Sequence, residues 1–181
     1  MGRLKLLIAV ISIGVTLSAC VSSVRAAPRP GGADTFGTRF MAYTLRTQLR
    51  QPDIFDSPIV VTTFADLNNL NQSSVFGRVI AEQLLDELHR AGFTVSEIRK
   101  GRDIFMKEAL GEMILSRNAR NVLSKSSARA VIAGTYVVTT KSVIINARLL
   151  DINSPLILSS SSYSLKMTEE LKKLLTGEEP F

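Results

Sequence analysis

Cys20 and His89 are the only residues of their kinds among the 181 of the chain, and that count decides much of the available chemistry. A structural zinc site takes about four ligands and a catalytic one about three from the protein. One thiol and one imidazole therefore exclude a His/Cys metal centre within the chain, and an intramolecular disulfide as well. His89 stands beside Arg90, one position after Leu88 on an apolar helical stripe, and reads as a solvated helix position. Ser159 to Ser162 put four hydroxyls in a strand-like run, but no Gly-x-Ser-x-Gly turn surrounds them; alternating packed and exposed positions account for them. Glu108 and Glu112 are a helix-spaced pair, not two carboxylates held apart across a glycosidic bond. Neither GxxxxGK[ST] nor GxGxxG is present to cradle phosphate. The residues assign no catalytic side chain, no cofactor and no metal.

The thiol of Cys20 does have a chemistry suited to its place. Arg3 and Lys5 precede an apolar stretch of 11 residues, Leu6 to Thr16, about half of what crosses a bilayer, as in a secretory signal. Leu17-Ser18-Ala19-Cys20 then resembles the lipobox of bacterial lipoproteins. In that motif the thiol accepts a diacylglycerol as a thioether, and the small residues before it let a signal peptidase close on the scissile bond. The expectation is a signal peptide over residues 1–19 and lipidation of Cys20, with several acyl chains anchoring the protein firmly at roughly 0.8 kcal/mol per buried methylene. Val21 and Ser22 follow, without the Asp that retains many such proteins at the inner membrane, which favours the outer membrane and a periplasm-facing domain. Residues 20–35 then read as acylated Cys and flexible tether. As a coil such a length averages nearer 20 Å end to end.

Of 22 basic and 16 acidic residues, Arg3 and Lys5 fall in the signal, which leaves a modest positive excess spread along the chain. No Lys/Arg block marks a nucleic-acid arm, so no nucleic-acid partner is expected. With 45% hydrophobic and 21% charged residues the remainder, 36–181, reads as one folded domain.

Hydropathy periods predict its elements. Phe36, Phe40, Tyr43, Leu45 and Leu49 recur at helical spacing to Arg50, with Thr35 as N-cap. Ile59 to Phe64 reads as a buried strand and Ala65 to Gln72 as an Asn-rich loop. From Ser73, residues Phe76, Val79, Ile80, Leu84, Leu88 and Ala91 form one helical face, closed by Gly92 and Phe93. Thr94 to Ile98 is expected to be a second strand and Ile104 to Ser127 two short helical pieces. Ala130 to Thr140, Ser142 to Ile152 and Leu156 to Leu165 read as three strands whose short connections favour antiparallel hairpins. Thr168 to Leu175 reads as a last helix, with Glu169 and Glu170 in its first turn. The fold class is α/β: a single small domain, a mixed sheet of about five strands with a C-terminal three-stranded antiparallel meander, and helices packed on one face. The outer strand of that meander either offers its edge to a neighbour's sheet or is covered by the last helix.

Several segments carry a family resemblance. Leu67-Asn68-Asn69-Leu70-Asn71-Gln72-Ser73-Ser74, Gly77-Arg78, Ala81-Glu82-Gln83-Leu84, Gly92-Phe93, Ala133-Gly134-Thr135-Tyr136 and Asn146-Ala147-Arg148-Leu149-Leu150-Asp151 resemble the FlgO family of flagellum-associated outer-membrane lipoproteins, over about Ile59 to Tyr163. The resemblance implies a non-enzymatic structural or assembly role in the flagellar basal body, as part of an accessory ring. Its partners would be outer-membrane lipid through acylated Cys20 and flagellar ring proteins, with a homo-oligomer compatible. In outline the domain is also similar to those of the curli secretion lipoprotein and of wall-synthase activators. The alternative function is thus a periplasmic adapter regulating a wall synthase or a secretion channel.

The candidate contact loop is Asn68, Asn69, Asn71 and Gln72, whose amides suit a backbone edge or a saccharide, with Arg78 one turn into the helix. Their plainer roles are a cap from Asn71 or Ser73, a turn shaped by Asn68 and Asn69, and an Arg78–Glu82 pair at i,i+4. Asp66 lies where α/β sheets place ligand groups, or is simply solvated.

Overall fold

The three carboxyl-terminal runs build most of the sheet, the first buried on both faces along most of its length and the other two alternating side chain by side chain. A computed structural model describes residues 28–29, 33–70, 73–96, 106–109, 112–115, 127–154 and 156–177. The elements in chain order are α1 (Thr38–Gln48), a 3₁₀ turn (Pro52–Ile54), β1 (Ile59–Val61), β2 (Ala65–Asp66), α2 (Val75–Arg90), β3 (Met106–Ala109), β4 (Glu112–Leu115), β5 (Ala130–Val138), β6 (Ser142–Asp151), β7 (Ile157–Lys166) and α3 (Glu169–Thr176). β5, β6 and β7 form the expected antiparallel meander, while β1 and β2 both run parallel to β5 on its far side. The five strands make one mixed sheet. Met41 and Leu45 of α1, Phe76, Ile80, Leu84 and Leu88 of α2, and Leu171 of α3 pack with Ile132, Val143, Ile145, Ala147, Leu149 and Leu165 in one core.

The expected strand from Ile59 to Phe64 is interrupted. Val61 pairs with Ile132 and Ala65 with Thr135, so three residues, 62–64, oppose two on β5, as in a bulge. Phe64 causes the interruption. Its backbone N–H donates to the Gly77 carbonyl at 3.3 Å, and its carbonyl accepts the Ser73 hydroxyl at 2.9 Å. A β-carbon at Gly77 would come within 2.2 Å of the Phe64 carbonyl oxygen, and one at Gly134 within 2.4 Å of the Phe64 ring. Both positions therefore accommodate glycine because Phe64 is pressed against them.

Other expectations need correction. α1 is not capped by Thr35: the Asp34 carboxylate accepts the N–H groups of Arg39 and Phe40, and Gly37 takes the left-handed conformation at the helix start. α2 is capped by Ser74, whose hydroxyl accepts the Gly77 N–H at 3.2 Å, because Ser73 spends its hydroxyl on Phe64; Asn71 lies outside the described residues. At the other end the Phe93 N–H reaches the Leu88 carbonyl and the Gly92 N–H the His89 carbonyl, the paired bonds of a Schellman ending. The expected strand at Thr94 reduces to one parallel bridge of Val95 with Ile59, made by the Ile59 N–H to the Thr94 carbonyl and the Ser96 N–H to the Ile59 carbonyl, with residues 97–98 outside the described residues. Where helical pieces were expected over Ile104 to Ser127, β3 and β4 pair antiparallel, which puts Glu108 and Glu112 on facing strands and removes their helical spacing; residues 104–105, 110–111 and 116–126 lie outside the described residues. α3 begins as expected, with the Thr168 hydroxyl accepting the Leu171 N–H.

Candidate functional site

The corner where β2 ends and α2 begins collects the chemistry that the sequence pointed to. Asp66 ends β2, and its carboxylate accepts the Asn68 N–H at 2.8 Å while its carbonyl accepts that of Asn69. The chain thereby turns within two residues and leaves Leu67, Asn68 and Asn69 exposed. The Leu67 N–H donates to the Tyr136 carbonyl at 2.8 Å, and the Tyr136 hydroxyl accepts the Ser74 N–H at 3.2 Å. Tyr136 therefore holds both the exit of β2 and the entrance of α2. Its ring meets Phe76 edge-on at 5.5 Å, and Phe76 in turn meets Phe36 at 5.9 Å.

These groups line an open groove of about 570 Å³ between Asp66, Ser73, Ser74, Arg78, Tyr136 and the end of α3 at Leu175 to Gly177. Arg78 is exposed and makes no ion pair among the described residues, so the i,i+4 pair with Glu82 does not form. The guanidinium is thus available at the rim of a groove whose lining is otherwise largely uncharged. Of the candidate residues the structure places Asn68 and Asn69 on the turn and Arg78 in the groove wall, and it does not gather the three into one lining. Asn71, Gln72 and Cys20 lie outside the described residues. Tyr136 and the α3 end were not anticipated as part of this site. Tyr136 had a signal, its place in a segment that carries the family resemblance, whereas the α3 end comes to the site through its packing on α2.

Among the described residues of this corner no nucleophile is hydrogen-bonded to a base. His89 is exposed near the opposite end of α2, and among the described residues no three His, Cys, Asp or Glu side chains gather as a metal site. Nor is any helix among them long and apolar enough to cross a membrane. Ser159 and Ser161 are buried while Ser160 and Ser162 face solvent, the alternation expected of packing positions.

The FlgO family, described as FlgO protein, matches residues 39–170. This chain belongs to the FlgO family. In this FlgO-family chain part of what carries the likeness meets at the corner just described, where Gly77 and Gly134 flank Phe64 and Tyr136 ties β2 to α2, while Gly92-Phe93 closes the far end of α2. Its fold is similar to the LpoB C-terminal domain from Salmonella enterica, with a TM-score of 0.50 and 13% identity over 70% of this chain and 96% of that one. The NMR structure of Escherichia coli LpoB gives a TM-score of 0.50 and 11% identity, covering 92% of this chain and 86% of that one. At such identities the likeness is one of fold. No curated protein sequence matches the chain.

Proposed function

We propose that this protein is an outer-membrane lipoprotein, acylated at Cys20 and facing the periplasm, that serves as a non-enzymatic structural component of the flagellar basal body, in its accessory ring, and is needed for motility. The observation that carries the reading is the family match over residues 39–170. The Leu17-Ser18-Ala19-Cys20 sequence supports the anchor. The groove beside Arg78 and the turn at Asn68 and Asn69 supply a contact surface for a protein partner, since an exposed guanidinium and two amides offer directed donors without a catalytic pair.

Affinity capture with crosslinking from isolated outer membranes tests the assignment, with Cys20→Ala as the unanchored control. The expected result is recovery of basal-body ring proteins with the wild type and release of the control from the membrane. A deletion strain should lose swimming while its wall stays intact. Recovery of a wall synthase or a secretion channel, with normal swimming in the deletion strain, would instead establish the adapter reading.

A further inference from the structure

One charge of the groove has no counterpart in the described fold. The Arg78 guanidinium stands at the rim without an ion pair among the described residues, while Asp66, the other charged group of the lining, turns its carboxylate to the Asn68 N–H. α2, sixteen residues long, opens onto the same space at Val75, and the positive end of a helix favours an anion there. Tyr136, 3% exposed, lines it too. Its hydroxyl accepts the Ser74 N–H and donates to no acceptor among the described residues. A guanidinium, a helix start and a hydroxyl with its proton to give all suit one kind of occupant, a carboxylate.

The far wall of the groove is the end of α3, from Leu175 to Gly177. Gly177 takes the left-handed conformation, φ 75°, and its N–H returns to the Lys173 carbonyl, so the chain leaves the helix axis at that point. Glu178-Glu179-Pro180-Phe181 come next in sequence and lie outside the described residues. Pro180 disfavours a helical Glu179. Two carboxylates therefore follow within two residues of a glycine that lines the groove, a span of at most about 7 Å, with the reach of a Glu and an Arg side chain still to add. Lys172 and Lys173, exposed on α3 about a turn earlier, are the competing cations, but neither lines the groove.

We propose that the chain supplies the first occupant of its own groove: Glu178 or Glu179 seats its carboxylate against Arg78, and a protein partner must displace that segment to use the same surface. The pairing stands apart from the flagellar reading, whereas its consequence for partner access rests on the groove being the contact surface.

The test uses the full-length lipoprotein in outer membranes with a carbodiimide, which joins an amine to a carboxylate as an amide and takes up the water as its urea. Arg78→Lys keeps the charge and supplies the amine. Mass spectrometry of peptides, with isotope-mixed copies to tell internal links from intermolecular ones, should find an internal amide from position 78 to Glu178 or Glu179. Its yield should be about fivefold above that from Gln83→Lys on the exposed face of α2. It should fall in about 1 M salt, where the Debye length shrinks to about 3 Å, and vanish when Glu178→Gln and Glu179→Gln are combined. A yield no greater than from Gln83→Lys, links of Glu178 and Glu179 to Lys172 and Lys173 in its place, a link between two copies, or one to a different protein would each overturn the proposal. Partner capture is scored separately, on the chain with Arg78 intact, and the paired Gln changes should raise it about fivefold. Unchanged capture beside the expected link would overturn the displacement and the contact-surface reading while leaving the seat in place, so the two failures are told apart.

Discussion

The hydroxyl of Tyr136 accepts the backbone N–H of Ser74 across 62 residues of chain, at 3.2 Å. This joins the far part of β5 to the first residue of the α2 cap, and Ser74 in turn caps Gly77. Tyr136→Phe keeps the ring against Phe76 and removes only the acceptor. A loss of about 1 kcal/mol in denaturant unfolding is expected, concentrated in amide exchange of the first turn of α2. Unchanged exchange there would show that the contact does not hold the helix start.

Gly134 and Phe64 form a pair that can be tested as one. Gly134→Ala should cost about 1 to 3 kcal/mol, because the new methyl meets the ring and must displace it. With Phe64→Leu already in place the same change should cost at least about 1 kcal/mol less, a coupling that a double-mutant cycle measures directly. Additive losses would mean that the strain lies elsewhere.

Asp151 supplies a pH signature. Burial pushes its carboxyl up, but the hydrogen bond and the charge of the Arg129 guanidinium, with the Asn153 and Ser154 N–H groups, together outweigh that, and the group is held below its ordinary value of 3.8. A depressed carboxyl contributes stability that is fully present above the unfolded value and is lost as pH falls through the folded one. The wild type should exceed Asp151→Asn by about 1 to 2 kcal/mol at neutral pH. The gap should hold down to the ordinary carboxylate range and close below it, as urea unfolding at a series of pH values would register. A gap independent of pH would remove the ion pair as its cause.

Arg78→Glu separates contact from stability. The side chain is exposed and makes no ion pair among the described residues, so unfolding should stay within about 0.5 kcal/mol of wild type. Capture of protein partners from outer membranes should nevertheless fall. Undiminished capture would move the contact surface away from the groove.

The meander was legible because its physics is local. Turns of a few residues fix neighbouring strands, and Val143, Ile145, Ala147 and Leu149 announce one buried face. Gly92 before Phe93 likewise specifies its helix ending within six residues. The break in the first strand was not legible, because Thr62-Thr63-Phe64 has the β propensity of a strand. Only the two glycines, one about a helical turn after the loop and one on a strand far downstream, make room for Phe64 to leave the ladder. The choice between Ser73 and Ser74 as cap was hidden for the same reason, since it depends on the Phe64 carbonyl. Over 106–109 and 112–115 the residues show no strict two-residue alternation, so the pairing of β3 with β4 was not legible there. At the candidate site, Arg78 and the Asn-rich turn could be named from residue type, whereas Tyr136 and the α3 end belong to it through tertiary packing.

The parallel pairing of β1 with β5 joins Ile59 to Ala130, whereas β5, β6 and β7 are linked by short turns. Closing a loop of some seventy residues costs more conformational entropy than forming hairpins, and contacts distant in sequence form late. The expected order is that the meander zips first and β1 docks onto it last. Pulse-labelled amide exchange should then protect Ile145 before Val60. During synthesis the amino-terminal half emerges first and waits unpaired for its template, which makes the interval before β5 appears the time when this chain most needs a chaperone.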